Sequence, residues 1–95
     1  MIQKIILWLL SFFDYSYQKK WIKFLKENKY NEFKILIDVG AHKGESIELF
    51  SENFIIKKII SFEASPINFE YLKMKIEKNK KRYNNTEIVL ENIAL

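Results

Sequence analysis

The chain has no cysteine, one histidine, one proline and two glycines among its 95 residues. Without cysteine, neither disulfides nor thiolate metal sites can form, and a single histidine argues against a histidine metal cluster. We therefore expect no metal site. The absence of cysteine does not indicate a compartment. The two glycines stand close together in one short loop, Gly40 and Gly44, and the rest of the chain is organised around that loop.

The composition indicates one small globular domain. Hydrophobic residues make up 48% of the chain and charged residues 29%, which is typical of a folded and not of a disordered protein. The net charge of +4 comes with abundant lysine, asparagine and isoleucine, a bias that an AT-rich genome produces without any functional cause. We therefore expect no nucleic-acid partner, and we interpret lysines near helix ends as favourable to the helix dipole.

The central stretch consists of an apolar strand, a glycine loop and a helix start. Ile35–Val39 is apolar except for Asp38, a pattern typical of a strand buried on both faces in a parallel sheet. Ligands of such sheets bind outside the carboxyl ends of the strands. Gly40 permits close approach of a ligand to the backbone, and Gly44 allows the following helix to pack near the strand. Free N–H groups at that helix start can bind polar atoms.

The spacing of the glycines narrows the class of ligand. A dinucleotide fingerprint requires glycines at i, i+2 and i+5, whereas these two lie at i and i+4. A phosphate-binding P-loop requires Gly-Lys-Ser/Thr, but Glu45 follows Gly44 and its charge would repel phosphate. An acid close to the glycines favours a ligand that carries positive charge, such as the sulfonium and amino group of S-adenosylmethionine.

A second strand ends in another acid, Glu63. It follows Ile59–Phe62 and lies roughly 20 residues past the glycine loop, where an acid accepts hydrogen bonds from ribose hydroxyls. Both oxygens of a carboxylate accept, which suits a pair of hydroxyls. Asp38 and Glu63 together are a more specific signal than either acid alone, although each could also simply cap a strand end.

Two crossover helices and a third strand complete the pattern. The first helix is predicted over Lys43–Phe54, with Ile47, Phe50 and Phe54 on its buried face. The second begins at Pro66 after the N-cap Ser65 and runs to about Arg82, with Phe69, Leu72 and Ile76 buried and Tyr83 next in phase. Asn84-Asn85 predicts a turn, and the third strand follows over Thr86–Leu90. The expected fold class is α/β, with three parallel strands in the order 3-2-1.

Residues 1–32 are predicted to form a separate N-terminal helical segment. Residues 1–13 have the charge and apolar length of a signal peptide but no suitable cleavage region, and they are too short to span a bilayer. A helix packed on the domain is preferred. An interfacial membrane helix over residues 1–20, or a signal or anchor, stays open. The next helix is expected to bury a stripe made of Trp21, Phe24, Leu25 and Asn28.

Three motifs together resemble the start of an FkbM-family methyltransferase. They are Asp38–Ser46, Ser61–Pro66 and Ile88–Leu95, within a region that spans residues 33–95. The resemblance implies a Rossmann-like class I fold, S-adenosylmethionine as cofactor and O-methylation of a small-molecule or glycan hydroxyl. It also implies roles near the methionine end for Asp38, on the ribose for Glu63 and near the adenine for Glu91 and Asn92. The implied cofactor-binding set is Asp38, Gly40, Ala41, His42, Gly44, Glu63, Ala64, Glu91 and Asn92.

The chain departs from the family pattern at two positions and stops early relative to it. His42 stands where the family has asparagine, and Ala64 where it has proline. No catalytic base can be assigned, and we expect a truncated, inactive N-terminal half of the domain. The alternatives are a membrane-associated or interaction module and a Rossmann-type nucleotide-dependent oxidoreductase. The expected location is cytoplasmic, or peripheral at a membrane if residues 1–20 bind one, and the oligomeric state is left open.

Overall fold

The computed structural model describes residues 6–10, 15–40 and 44–94, and the side chains of residues 18–40 and 44–94. Four strands and three helices alternate along this part of the chain. In chain order they are β1 (Ile6–Leu10), α1 (Tyr15–Glu27), β2 (Glu32–Val39), α2 (Glu45–Asn53), β3 (Ile55–Phe62), α3 (Pro66–Lys78) and β4 (Glu87–Glu91).

The strands form one parallel sheet in the order β1-β2-β3-β4. The three strands predicted from the sequence correspond to β2, β3 and β4. Each parallel pair is joined through a helix, as parallel pairing requires a crossover connection. The protein is therefore a small α/β domain, and the predicted fold class is confirmed at that level.

The N-terminal segment was predicted as a helix, and this prediction was wrong for Ile6–Leu10. These residues form β1, which pairs with β2 from Ile6 opposite Ile35 to Leu10 opposite Val39. A short apolar run cannot be assigned to helix or strand from periodicity alone. Here the outer edge of β2 offers N–H and C=O groups that a strand satisfies and a helix does not. β2 is therefore an interior strand of the sheet, and residues 1–5 and 11–14 lie outside the described residues.

Helix α1 exists as predicted, but it buries a different face. Leu25 is buried as expected, whereas Trp21 is 44% exposed and Phe24 is 53% exposed. These two rings contact each other edge-on, with centroids 6.0 Å apart. Among the side chains of α1 that the structure describes, Gln18, Ile22 and Leu25 face the core.

The burial of Gln18 has a specific cause. Its amide nitrogen donates a hydrogen bond of 2.9 Å to the hydroxyl of Ser46, which is itself buried in α2. A buried amide is tolerated when it is hydrogen-bonded. This polar pair therefore lets α1 pack on the first turn of α2 along a face that hydropathy alone would not select.

The core lies between the helices and one face of the sheet. The predicted buried face of α2 is confirmed, since Ile47, Phe50 and Phe54 are all buried. The ring of Phe54 contacts that of Phe33 in β2 edge-on, with centroids 5.0 Å apart, and it stacks on the ring of Phe50, with centroids 5.9 Å apart. The other buried apolar residues of this cluster are Ile22, Leu25, Leu36, Leu49, Ile56, Ile59, Leu72 and Tyr83.

Helix α3 begins where the sequence predicts and ends earlier. The hydroxyl of Ser65 accepts a hydrogen bond from the N–H of Asn68 at 3.2 Å, and Pro66 occupies the first turn. The helix ends at Lys78 and not near Arg82, because residues 79–85 form turns. Of the predicted stripe, Leu72 is fully buried, whereas Phe69 and Ile76 are half-buried.

The turn after α3 contains a buried phenol whose ionisation opposes folding. Burial raises the pKa of Tyr83 above its ordinary value of 10.0, and the hydrogen bond with Arg82 offsets this only in part. The folded state thus favours the neutral phenol, so its contribution to stability is complete below about pH 10 and is lost as the pH rises through the raised pKa.

We expect the free energy of unfolding to fall more steeply above about pH 10 in the wild type than in Tyr83→Phe. The measurement is urea denaturation, followed by circular dichroism, at several pH values between about 9 and 11. Tyr71→Phe is the control, since Tyr71 is 54% exposed. Equal pH slopes for the wild type and Tyr83→Phe would contradict the expectation.

Candidate functional site

The carboxyl ends of β2, β3 and β4 meet at one edge of the sheet and form the candidate site. Asp38 lies opposite Ser61, and the next register level joins Val39, Phe62 and Glu91. Asp38 and Ser61 have no exposed surface at all. Because parallel strands present their carboxyl ends on the same side, the loops that follow Val39, Phe62 and Glu91 are neighbours.

Gly40 turns the chain away from the sheet directly after β2. Its φ is +74°, a conformation that favours glycine, and its N–H donates to the carbonyl of Phe62 at 2.8 Å. A Cβ built at this position would meet nothing within 4 Å. Within the described residues, the backbone here is thus tied to β3, and no heavy atom lies where a side chain at this position would begin.

Gly44 has a different structural role from the one predicted. It precedes α2 with φ of +94°, and a Cβ there would lie 3.2 Å from Cδ1 of Leu72. The missing side chain therefore allows α2 to begin against α3, not against the strand as the sequence analysis proposed. Gly44 shapes the site by fixing where α2 starts.

Glu63 follows β3 and is buried although it carries a carboxylate. Its Oε2 accepts a hydrogen bond of 2.9 Å from the N–H of Ser65, and its own N–H donates to the carbonyl of Glu91 at 2.9 Å. The first bond holds the side chain over the loop that leads into α3, and the second holds the backbone to β4. A carboxylate can accept about four hydrogen bonds, so this arrangement is compatible with further donors.

Asn92, the residue after β4, is hydrogen-bonded to the loop that follows β3. Its amide nitrogen donates to the carbonyls of Glu63 at 2.7 Å and of Ala64 at 3.2 Å. Glu91, the last residue of β4, is exposed and contributes its carbonyl to the bond with Glu63. The sequence indicated that Asn92 belongs to the site, but it did not indicate that its amide acts on the loop backbone.

Ser61 is a site residue that the sequence analysis missed. Its hydroxyl is buried and has no hydrogen-bond partner within the part of the chain that the structure describes. It sits in register beside Asp38, so two polar side chains interrupt otherwise apolar strands at the same level. The sequence did contain a signal for Ser61. It precedes Glu63 by the same number of residues by which Asp38 precedes Gly40, so both polar residues stand at the same distance from a strand end.

The start of α2 is acidic. Glu45 and Glu48 occupy its first turn, where acids are favourable to the helix dipole. Glu48 accepts a hydrogen bond from Arg82 at 2.8 Å and lies 3.6 Å from Lys75, which links α2 to the end of α3. Because these two cations offset the charge of Glu48, any preference of this helix start for a cationic group over a phosphate comes from Glu45.

The predicted site residues are thus largely brought together. Those at the sheet edge are Asp38, Gly40, Glu63, Ala64, Glu91 and Asn92. Gly44 supports the edge from the start of α2, while Ala41 and His42 lie outside the described residues. Within residues 6–10, 15–40 and 44–94, no cluster of three or more histidine or acidic side chains could hold a metal ion.

Comparison with known proteins identifies no relative. No family model matches the chain, and no curated protein or solved structure shows significant similarity to it. The helices of the described ranges are too short or too polar for any of them to cross a bilayer.

Proposed function

We propose that the chain is the cofactor-binding part of an S-adenosylmethionine-dependent O-methyltransferase of the FkbM type. The observation that carries the proposal is the pair of buried acids, Asp38 and Glu63, that flank the loop opened by Gly40. Read from β4 to β2, three of the four strands would be the 3-2-1 half of a class I methyltransferase sheet, and β1 occupies the edge of β2 at which a fourth strand of that sheet would pair. Ligands of such sheets bind at the carboxyl ends of the strands.

The residues at this edge fit the cofactor chemically. Within the described ranges, Gly40 leaves open space beside the backbone and the buried Ser61 hydroxyl has no hydrogen-bond partner. Glu63 would accept hydrogen bonds from the ribose hydroxyls, and Asp38 would stabilise the positive charge at the methionine end. Glu45 in the first turn of α2 supports a cationic ligand over a dinucleotide, whereas Glu48 is paired with Arg82 and Lys75.

In the proposed reaction an acceptor hydroxyl on a small molecule or glycan is methylated. The cofactor, when bound, supplies an electrophilic methyl group. The residues of this chain would orient it: Glu63 would hold the ribose and Asp38 the methionine end, with the backbone of Gly40 beside the ligand. Such positioning contributes much of the rate of group transfer. The general base that takes the hydroxyl proton is not assigned to any described residue.

Calorimetric titration with S-adenosylhomocysteine tests the proposal, with NADH as the competing ligand. We expect S-adenosylhomocysteine alone to bind. In Glu63→Gln the shape is kept and the charge removed, and we expect binding to weaken at least about 10-fold, equivalent to about 1.4 kcal/mol. Glu70→Gln is the matched control, because Glu70 is a surface acid whose side chain is 63% exposed.

Three results would count against the methyltransferase. Binding of NADH alone would favour the oxidoreductase. Equal binding in the wild type and Glu63→Gln would remove Glu63 from the site. No binding of either ligand by a chain that circular dichroism shows to be folded would favour an interaction module.

A further inference from the structure

The start of α2 is determined in a different way from the start of α3. In α3 the hydroxyl of the N-cap Ser65 accepts a hydrogen bond from the first turn, and Pro66 follows it. The N-cap of α2 is Gly44, which has no side chain and adopts the left-handed conformation, with φ of +94° and ψ of 14°. Because a capping side chain fixes where a helix begins, the position of α2 depends more on contacts with other elements than that of α3 does.

Two polar links join the first turn of α2 to neighbouring elements. On the side of α3, Arg82 donates a hydrogen bond of 2.8 Å to Glu48, but these side chains are 43% and 37% exposed. Solvent weakens an ion pair of this kind. On the side of α1, the amide of Gln18 donates a hydrogen bond of 2.9 Å to the hydroxyl of Ser46, and both residues are only 3% exposed. The link to α1 is therefore the better shielded of the two.

The bond from Gln18 fixes more than packing alone would fix. Gln18 lies in the first turn of α1, on the same face as Ile22 and Leu25, which anchor this helix in the core. An apolar side chain at position 18 would fill the space but would let α2 shift along α1. A hydrogen bond has a narrow range of distance and angle, so it holds the first turn of α2 at one point on α1.

We propose that Gln18 is a positioning residue for the candidate ligand site and acts through Ser46 on the first turn of α2. This role rests on the proposed function, since it concerns the site that would bind S-adenosylmethionine. The first turn of α2 contains Glu45, whose charge favours a cationic ligand. Binding sites depend on geometry held to within about 0.5 Å, so a shift of this turn relative to the acids at the sheet edge weakens binding.

Hydrogen exchange measures the positioning without any ligand. The N–H of Glu48 donates to the carbonyl of Gly44 and closes the first turn of α2, as the N–H of Phe69 does with Ser65 in α3. In Gln18→Leu we expect the amide of Glu48 to exchange at least about 10-fold faster, and that of Phe69 to keep its rate. Equal exchange of the Glu48 amide in the wild type and Gln18→Leu would overturn the proposal.

Calorimetric titration with S-adenosylhomocysteine tests the consequence for binding. We expect Gln18→Leu to weaken binding at least about 5-fold, equivalent to about 1 kcal/mol. Asn28→Leu is the matched control, because the exposed amide of Asn28 donates to the carbonyl of Phe24 within α1, and its loss should leave the affinity unchanged. Equally tight binding in the wild type and Gln18→Leu would overturn this proposal alone. Absence of binding by the wild type would overturn the proposed function and this role with it.

A second variant of α1 separates positioning from stability. Ile22→Val removes one buried methylene from the same face of the helix and leaves Gln18 and Ser46 in place. Urea denaturation should show a lower midpoint for this variant, as for Gln18→Leu, while its affinity for S-adenosylhomocysteine stays that of the wild type. If Ile22→Val weakens binding as much as Gln18→Leu does, affinity follows stability and the positioning role is overturned.

Discussion

The Gly44→Val variant is expected to lose roughly 2–5 kcal/mol of unfolding free energy, among the largest effects of any single substitution in the glycine loop region. Two penalties combine at this position. Valine is strained at the φ of +94°, which costs about 1–3 kcal/mol. Its Cβ would also lie 3.2 Å from Leu72, a fully buried side chain that has little room to move.

Gly40→Val is the matched comparison, because its φ is also positive but a Cβ there meets nothing within 4 Å. It should show only the strain, about 1–3 kcal/mol, and remain folded. Urea denaturation of both variants measures the difference. A Gly44→Val variant no less stable than Gly40→Val would contradict the packing role of Gly44 against α3.

A third variant, Gly40→Ala, separates stability from binding. If a ligand approaches the backbone at Gly40, even Gly40→Ala should weaken S-adenosylhomocysteine binding at least about 10-fold while the variant stays folded. Unchanged binding in a folded Gly40→Ala variant would mean that the open space beside Gly40 is not part of the ligand site. The test therefore distinguishes a glycine kept for a ligand from one kept for packing.

The elements that the sequence predicted correctly share one property: local chemistry decides them. Ile35–Val39 is apolar enough to be recognised as a strand, and Ser65-Pro66 has few uses other than a helix start. The prediction that this strand is buried on both faces was wrong, because Leu36 and Asp38 are buried whereas Ile35, Ile37 and Val39 on the other face are half-buried. The two acids that end strands could be recognised because a carboxylate is unusual in such runs. Parallel pairing then brings their loops together without further information.

The errors arose where the outcome depends on distant residues. Whether Ile6–Leu10 becomes a helix or a strand is decided by the free edge of β2, almost 30 residues further on. The face that α1 buries is decided by Ser46, which makes Gln18 an acceptable core residue. Ser61 was not predicted because a single serine in a strand does not by itself indicate a site. Only the strand register, which pairs Ser61 with Asp38, shows that the two polar side chains are neighbours.

Removal of residues 1–13 is expected to cost several kcal/mol and to make the chain aggregate. The deletion takes away β1 and with it the parallel ladder from Ile35 to Val39, in which each lost hydrogen bond contributes about 0.5–1.5 kcal/mol. A domain of this size has a stability of only about 5–15 kcal/mol, so the fraction lost is large. The uncovered edge of β2 is apolar and able to pair with another chain.

Urea denaturation and light scattering measure the two effects, and a chain that lacks only residues 1–5 is the control, since it retains every paired residue of β1. A helix lying on a membrane, the alternative that the sequence left open, predicts the opposite pattern: vesicle binding is lost and stability is unchanged. The outcomes separate because a strand contributes through the backbone of β2, whereas an interfacial helix contributes only where a bilayer is present. A deletion variant as stable and as soluble as the wild type would therefore contradict the pairing of β1 with β2 and indicate that β2 is an edge strand.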